Sequence, residues 1–99
     1  MLNIGKKVNG SEMILALDGR LDTTTAPDLE RELWDNLDGI SELVLDFEKL
    51  EYISSAGLRV LLGAQKAMNK QGTMKIVHVS EIIQEIFDVT GFTDILTIA

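Results

Sequence analysis

The sequence has 99 residues, of which 45% are hydrophobic and 25% are charged, values typical of one globular domain. Nine basic and 16 acidic residues give a net charge of -7, which disfavours nucleic acid and anionic lipid as partners and favours a basic protein surface. The chain has no cysteine for a disulfide. Its first residues do not resemble a signal peptide and its apolar runs are too short to span a bilayer, so we expect a cytoplasmic protein without membrane insertion.

The beginning of the chain predicts a β-hairpin. The apolar-rich runs at residues 2–8 and 13–17 flank Asn9-Gly10, a dipeptide that favours a tight turn between antiparallel strands.

The segment from Ala26 to Leu37 predicts a helix. Thr24 or Thr25 can cap it, and Pro27 lies in its first turn. Helical spacing predicts a buried face that consists of Leu29, Leu33, Trp34 and Leu37.

The middle of the chain predicts a short strand at residues 43–45, followed by a polar loop and a helix. The helix begins near Ala56 and ends near Gln71, with Gly72 as its stop. The polar loop contains Asp46, Glu48 and Glu51.

The last third predicts a strand at Met74–Val79, with His78 inside it, and then a helix capped by Ser80 and ended by Gly91. A short strand at Ile95–Ile98 comes last. The helix is expected to face the core with Ile82, Ile83, Ile86 and Phe87.

The predicted fold class is α/β, with one domain over residues 1–99. Strands that alternate with helices after an opening hairpin indicate a mixed sheet of about five strands, whose later strands are parallel, and three main helices. The pattern leaves open whether the helices cover one face of the sheet or both.

The stretch YISSAGLRVLL, residues 52–62, carries the functional signal. A serine at a helix start is typical of an N-cap, which accepts a hydrogen bond from the first turn. Two serines at the carboxyl edge of a sheet are also well placed to carry a phosphate, since a helix N-terminus favours negative charge. Gly57 permits a close approach to the backbone.

The stretch LVLDFEKLEYISSAGLRVLL resembles the central signature of the STAS domain family, found in bacterial anti-sigma factor antagonists. The resemblance extends over the whole chain, since ILALDGRLD is similar to the second strand of that family and SEIIQEIFDVTGFTDILTI is similar to its last helix and strand.

The resemblance implies a phosphoacceptor at Ser55. Ser54 replaces the acid that commonly precedes the acceptor, and Ala56 replaces the second serine of the signature. Asp22 and Asp46 match acids that the family keeps around the same edge of the sheet. The partner-binding residues implied in this way are Asp22, Thr23, Ser54, Ser55, Ala56, Gly57, Leu58 and Arg59.

The mechanism implied by the resemblance is partner switching by a non-enzymatic protein that is a monomer when free. The unmodified protein binds an anti-sigma factor that is also a serine kinase, and so releases the sigma factor. The kinase phosphorylates the acceptor and the complex weakens, and a PP2C-type phosphatase resets the switch. ATP and magnesium belong to the kinase, so the chain itself needs no cofactor.

Two alternatives remain at this point. A hydrolase would need Ser55, His78 and Asp46 as a triad, but no G-x-S-x-G motif is present, and ligand clusters for a metal are lacking. The other alternative is a STAS domain that is never phosphorylated and acts as a scaffold in a signalling assembly or as an accessory subunit of a transporter.

Overall fold

The computed structural model describes all 99 residues and consists of a mixed four-stranded sheet and three helices. A short 3-10 turn follows the last helix. The elements in chain order are β1 (Leu2–Asn9), β2 (Glu12–Leu21), α1 (Ala26–Asn36), β3 (Glu42–Ile53), α2 (Ser55–Asn69), β4 (Thr73–Val77), α3 (Glu81–Thr90) and the 3-10 turn (Phe92–Asp94).

The order of strands in the sheet follows the order in the chain, β1-β2-β3-β4. β1 and β2 form the predicted antiparallel hairpin, in which Asn9 pairs with Glu12 around a two-residue turn. β3 pairs in parallel with both β2 and β4. Because successive parallel strands are added in the same direction, right-handed crossovers place α1 and α2 on the same face of the sheet.

One face of the sheet and the inner sides of the helices form a single hydrophobic core. Side chains alternate along the strands, so that Leu15 of β2 is fully buried while its neighbour Ala16 is exposed on the other face. The ring of Phe87 in α3 lies 6.4 Å from the ring of Phe47 in β3, centroid to centroid. The three helices therefore cover the same face, which answers the question that the sequence left open.

β3 is much longer than the strand predicted at residues 43–45. Its inward-facing residues Phe47, Leu50 and Ile53 are three positions apart rather than two. The register with β2 shifts by one residue between Phe47 and Leu50 and again between Leu50 and Ile53, because β3 has one extra residue at each of these two irregularities. The prediction of a polar loop after residue 45 is therefore wrong, because Asp46, Glu48 and Glu51 belong to β3.

The fifth strand predicted at Ile95–Ile98 is also wrong. The 3-10 turn at Phe92–Asp94 redirects the chain, and the segment after it makes a single parallel bridge, between Ile98 and Ile76 of β4. The sheet therefore has four strands rather than about five.

Two residues predicted to face the core are exposed instead. The exposed fraction is 50% for Trp34 and 64% for Ile82. Each lies next to the inward face of its helix, one position away from a fully buried residue. The buried residues are Ala26, Leu29 and Leu33 in α1, and Ile83 and Phe87 in α3.

Both predicted ends of α3 are confirmed. The Ser80 hydroxyl accepts a hydrogen bond from the backbone N–H of Ile83 at 3.3 Å, and Gly91 ends the helix with a left-handed backbone, at φ 80°.

No helix of the protein is both long enough and apolar enough to cross a membrane.

The prediction that His78 lies inside a strand is wrong. β4 ends at Val77, and His78 follows it with a left-handed backbone at φ 58°. Its side chain is 58% exposed.

Candidate functional site

The carboxyl ends of β2 and β3 lie side by side and position the candidate site. Leu21 and Ile53 are the last paired residues of the two strands. The backbone N–H of Ser54 donates to the carbonyl of Leu21 at 2.8 Å, which holds the start of α2 against the end of β2. The loop that begins at Asp22 therefore lies beside Ser54 and Ser55.

Ser54 is the N-cap residue of α2. Its backbone is extended, at φ -96° and ψ 175°, and its hydroxyl accepts from the backbone N–H of Gly57 at 3.4 Å. That distance is long for a hydrogen bond between N–H and oxygen, so the cap is a weak one. The capping role proposed for one of the two serines is thus filled by Ser54.

Ser55 is the first residue of α2 and is exposed. No hydrogen bond joins its hydroxyl to the rest of the protein, because the cap is supplied by its neighbour. A free hydroxyl at the first turn is accessible to a second protein, and the unpaired N–H groups of that turn favour a negative charge there.

The next four residues differ in burial, and only the last of them is exposed. Gly57 and Leu58 are buried, Ala56 is half-buried against the core, and Arg59 is exposed. The close approach expected at Gly57 is internal, since a β-carbon there would lie 2.7 Å from Cγ of Leu21. Ser55 and Arg59 are therefore the members of this segment that a partner can reach.

Asp22 organises the neighbouring loop. Its Oδ1 accepts from the Thr24 hydroxyl at 2.8 Å, from the Thr24 backbone N–H at 3.0 Å and from the Thr25 backbone N–H at 3.1 Å. The hydrogen bond from the Thr24 hydroxyl, helped by those from the backbone, holds the pKa of the Asp22 carboxyl below its usual value. Thr23 is exposed at the tip of this turn.

Thr25 occupies the N-cap position of α1 but does not cap the helix. Its hydroxyl donates to the carbonyl of Arg20 at 2.7 Å and accepts from the backbone N–H of Asp22 at 2.8 Å. The capping hydrogen bond predicted for Thr24 or Thr25 is therefore absent, and both hydroxyls stabilise the loop instead.

A stacked pair that the sequence did not indicate borders the site. Arg20 and Tyr52 are paired across β2 and β3, one residue before the strand ends, and the Arg20 guanidinium carbon lies 4.5 Å from the Tyr52 ring centroid. The pair could be found only after the register of the two strands was known.

Asp46 lies far from Ser55, contrary to the prediction that both occupy the same edge. It pairs with Ala16 and with Val77, seven residues before the end of β3, or about 20 Å along the strand. A triad of Ser55, His78 and Asp46 is excluded by this separation.

Asp46 instead forms a cluster with Glu48 and His78. Nδ1 of His78 lies 2.9 Å from Oδ1 of Asp46 and 4.0 Å from Oε2 of Glu48. The contact with Asp46 raises the pKa of His78; burial raises the pKa of Asp46, but hydrogen bonds from Glu48 and His78 bring it below its usual value. The ligand atoms lie within 4.8 Å of one another, a spacing that could hold a metal ion and that the sequence did not predict.

This cluster borders a depression of about 290 Å³ on the face of the sheet that the helices leave uncovered. Small residues, Gly5 and Ala16, line it together with Asp46 and Glu48. It does not include Ser55, so the depression and the candidate site are separate surfaces.

A family model described as the STAS domain matches residues 3–99. The chain belongs to the STAS domain family. Among its STAS relatives is BtrV of Bordetella bronchiseptica, named as an anti-sigma factor antagonist, which is 37% identical over 94% of this chain and 81% of its own length. The anti-sigma-B factor antagonist of Bacillus subtilis is 30% identical over 99% of this chain and 91% of its own length.

Solved structures show the same STAS fold. The anti-sigma factor antagonist SpoIIAA in its unphosphorylated form has a TM-score of 0.77 at 16% identity, covering 100% of this chain and 87% of its own. The phosphorylated form of SpoIIAA, from Bacillus, has a TM-score of 0.75 at 17% identity, covering 100% and 91%. The α/β fold predicted from the sequence is thereby confirmed.

Proposed function

We propose that this STAS protein is an anti-sigma factor antagonist of the cytoplasm and that Ser55 is its switch. In the unphosphorylated form the chain binds an anti-sigma factor that is also a serine kinase, and the sigma factor is released. Phosphorylation of Ser55 ends the binding, and a PP2C-type phosphatase restores it. The names of the relatives support the antagonist function, and the exposure of Ser55 supports the choice of acceptor.

The observation that carries the proposal is the division of roles between the two serines. Ser54 caps α2, which leaves the Ser55 hydroxyl exposed and unbonded at the first turn. A kinase can therefore reach Ser55 without first breaking a hydrogen bond of the fold. SpoIIAA, which shares the fold, is known in a phosphorylated form.

The chemistry requires little of this chain. The Ser55 oxygen attacks the γ-phosphorus of ATP held by the kinase, a new O–P bond forms, and the bond from that phosphorus to the β–γ bridging oxygen breaks to release ADP. The hydroxyl proton passes to a base of the kinase. The phosphate adds a charge of about -1.5 to -2 at pH 7.

Phosphorylation by a purified serine-kinase anti-sigma factor from the same organism tests the proposal. We expect one added phosphate by intact mass, on Ser55 by peptide mapping, and loss of the complex with the kinase in titration calorimetry. Ser55→Ala should bind the kinase but accept no phosphate, whereas Ser55→Asp should bind poorly because it places a charge in the contact.

Ser54→Ala is the matched control, since it removes a hydroxyl one residue away. It should still accept one phosphate on Ser55. Phosphate on Ser54 alone, or equal affinities of Ser55→Ala and Ser55→Asp for the kinase, would contradict the assignment of Ser55 as the switch.

A further inference from the structure

The exposed side of α2 forms one continuous stripe that begins at the proposed switch. Ser55, Arg59 and Lys66 are exposed, Leu62 and Gly63 between them are half-buried, and the remaining side chains before Asn69 face the core or its edge. Spacings of three and four residues place these positions on one face of a helix. From Ser55 to Lys66 the stripe is about 17 Å long, at 1.5 Å per residue.

The stripe is basic in a protein that is otherwise strongly acidic. Residues 52–80 contain four of the nine basic residues and none of the 16 acidic ones. The rest of the chain thus has 16 acidic against five basic residues. Arg59 and Lys66 take part in no ion pair, whereas the ion pairs of Lys6, Arg20 and Arg31 lie elsewhere. These two charges on α2 are free to bind a partner.

Trp34 of α1 extends this stripe with an apolar residue. This residue is 50% exposed. It is the only tryptophan in the chain and one of its largest exposed hydrophobic residues. Its Cζ2 atom lies 3.7 Å from the position that a β-carbon of Gly63 would take, so the ring lies against the bare backbone of α2. Tryptophan and arginine are among the residue types that most often dominate the affinity of a protein interface.

We propose that this surface, defined by Ser55, Arg59, Leu62, Lys66 and Trp34 and here called the α2 stripe, binds an acidic surface of the anti-sigma factor. The partner presents carboxylates to Arg59 and Lys66 and an apolar pocket to Trp34. The proposal rests on the proposed function for the identity of the partner. It departs from the expectation, drawn from the net charge of -7, that the partner surface is basic.

An acidic partner surface accounts for the direction of the switch. A phosphate on Ser55 lies four residues before Arg59, the spacing at which opposite charges pair on a helix, so it would draw the Arg59 guanidinium away from the partner. The phosphate itself would face the carboxylates of the partner and repel them. Both effects weaken the complex without unfolding α2.

Affinities of three variants for the anti-sigma factor kinase test the α2 stripe. Trp34→Ala should weaken binding about thirtyfold, the loss typical of a dominant interface tryptophan. The double charge reversal Arg59→Glu with Lys66→Glu should weaken it by at least about a hundredfold at low salt, and by less at high salt because ions screen the repulsion. The control is Lys7→Glu with Lys49→Glu, which makes the same change of charge at exposed positions outside α2 and should bind like the unmodified protein.

Melting curves of each variant separate a loss of binding from a loss of folding. All substituted residues are exposed, so we expect similar midpoints. If the unmodified chain binds the kinase and Ser55 phosphorylation releases it, but the two α2-stripe variants bind as tightly as the unmodified chain, the stripe is refuted and the proposed function stands. Equal weakening by the Lys7 and Lys49 control would also refute it. Failure of the unmodified chain to bind would overturn the proposed function itself.

Discussion

Replacing Gly57 by alanine should destabilise the protein, although alanine is the better helix former. A β-carbon at this position would lie 2.7 Å from Cγ of Leu21 and 2.9 Å from Cγ1 of Ile53. Both contacts are closer than carbon atoms normally approach, and both neighbours are almost fully buried. Neither side chain can move aside without disturbing the junction of β2, β3 and α2, which positions Ser55.

The magnitude follows from two opposed effects. Alanine gains up to about 1 kcal/mol over glycine in a helix. Overpacking of a well-filled core costs about 1–3 kcal/mol. The same helix contains a control, because a β-carbon at Gly63 would meet only Cζ2 of Trp34, at an ordinary contact distance of 3.7 Å. Since both substitutions gain helix propensity, the difference between them measures the overpacking alone, about 1–3 kcal/mol.

Urea unfolding monitored by circular dichroism gives the two free energies. We expect Gly63→Ala to be more stable than the unmodified protein and Gly57→Ala to be the less stable of the two variants. For a domain of this size, about 1 kcal/mol corresponds to about 4–8 °C in the melting temperature. Equal free energies of unfolding for Gly57→Ala and Gly63→Ala would refute the close packing of α2 against the ends of β2 and β3.

Two further predictions concern the residues around Ser55. Ser54→Ala should cost up to about 1 kcal/mol of unfolding free energy because it removes the cap, while Ser55→Ala should cost almost nothing. Equal losses of unfolding free energy in urea would contradict the assignment of the cap to Ser54. The pKa of Asp22 is lowered from its ordinary 3.8, so its charge stabilises the fold above that pH and the contribution is lost as the pH falls through the lowered value. Asp22→Asn should therefore be less stable than the unmodified protein at pH 7, and the difference should close in acid; a difference independent of pH would show that the charge is irrelevant.

The sequence predicted most elements but misjudged β3, and the reason is its bulged pairing. A regular strand places every second side chain inward, whereas Phe47, Leu50 and Ile53 are spaced by three. The charged residues between them resemble a loop in the sequence, and only the pairing with β2 shows that β3 has one extra residue at each of two irregularities. The spacing depends on a partner strand, so the segment alone does not reveal it.

The helix faces were misjudged by one position each, for a different reason. Trp34 follows the buried Leu33, and Ile82 precedes the buried Ile83. A hydrophobic residue next to the inward stripe fits the helical period nearly as well as the stripe itself. Only the position of the neighbouring helix decides whether such a residue is covered, and Trp34, which lies beside Gly63 of α2, stays 50% exposed.

The candidate site was more predictable than its surroundings because its signal is local. A strand followed by two serines and a helix predicts a cap within this segment, and the structure then shows which serine fills that role. The loop of Asp22 could be placed beside it only through the pairing of β2 with β3. Asp46 was misplaced for the same reason as the end of β3, since an acid that was predicted to follow a short strand lies inside a long one.

If Ser55 is the switch, as proposed, the arrangement of Ser54 and Ser55 allows a phosphate to change binding without changing the fold. If the acceptor were also the cap, phosphorylation would disturb the hydrogen bond that starts α2. Here Ser54 keeps that bond, and the added charge at Ser55 lies near the unpaired N–H groups of the first turn, which favour it. The free energy that separates the two binding states must then come from the interface with the partner. The proposed α2 stripe, which begins at the same residue, would provide that interface, because a phosphate on Ser55 would reverse its charge at one end.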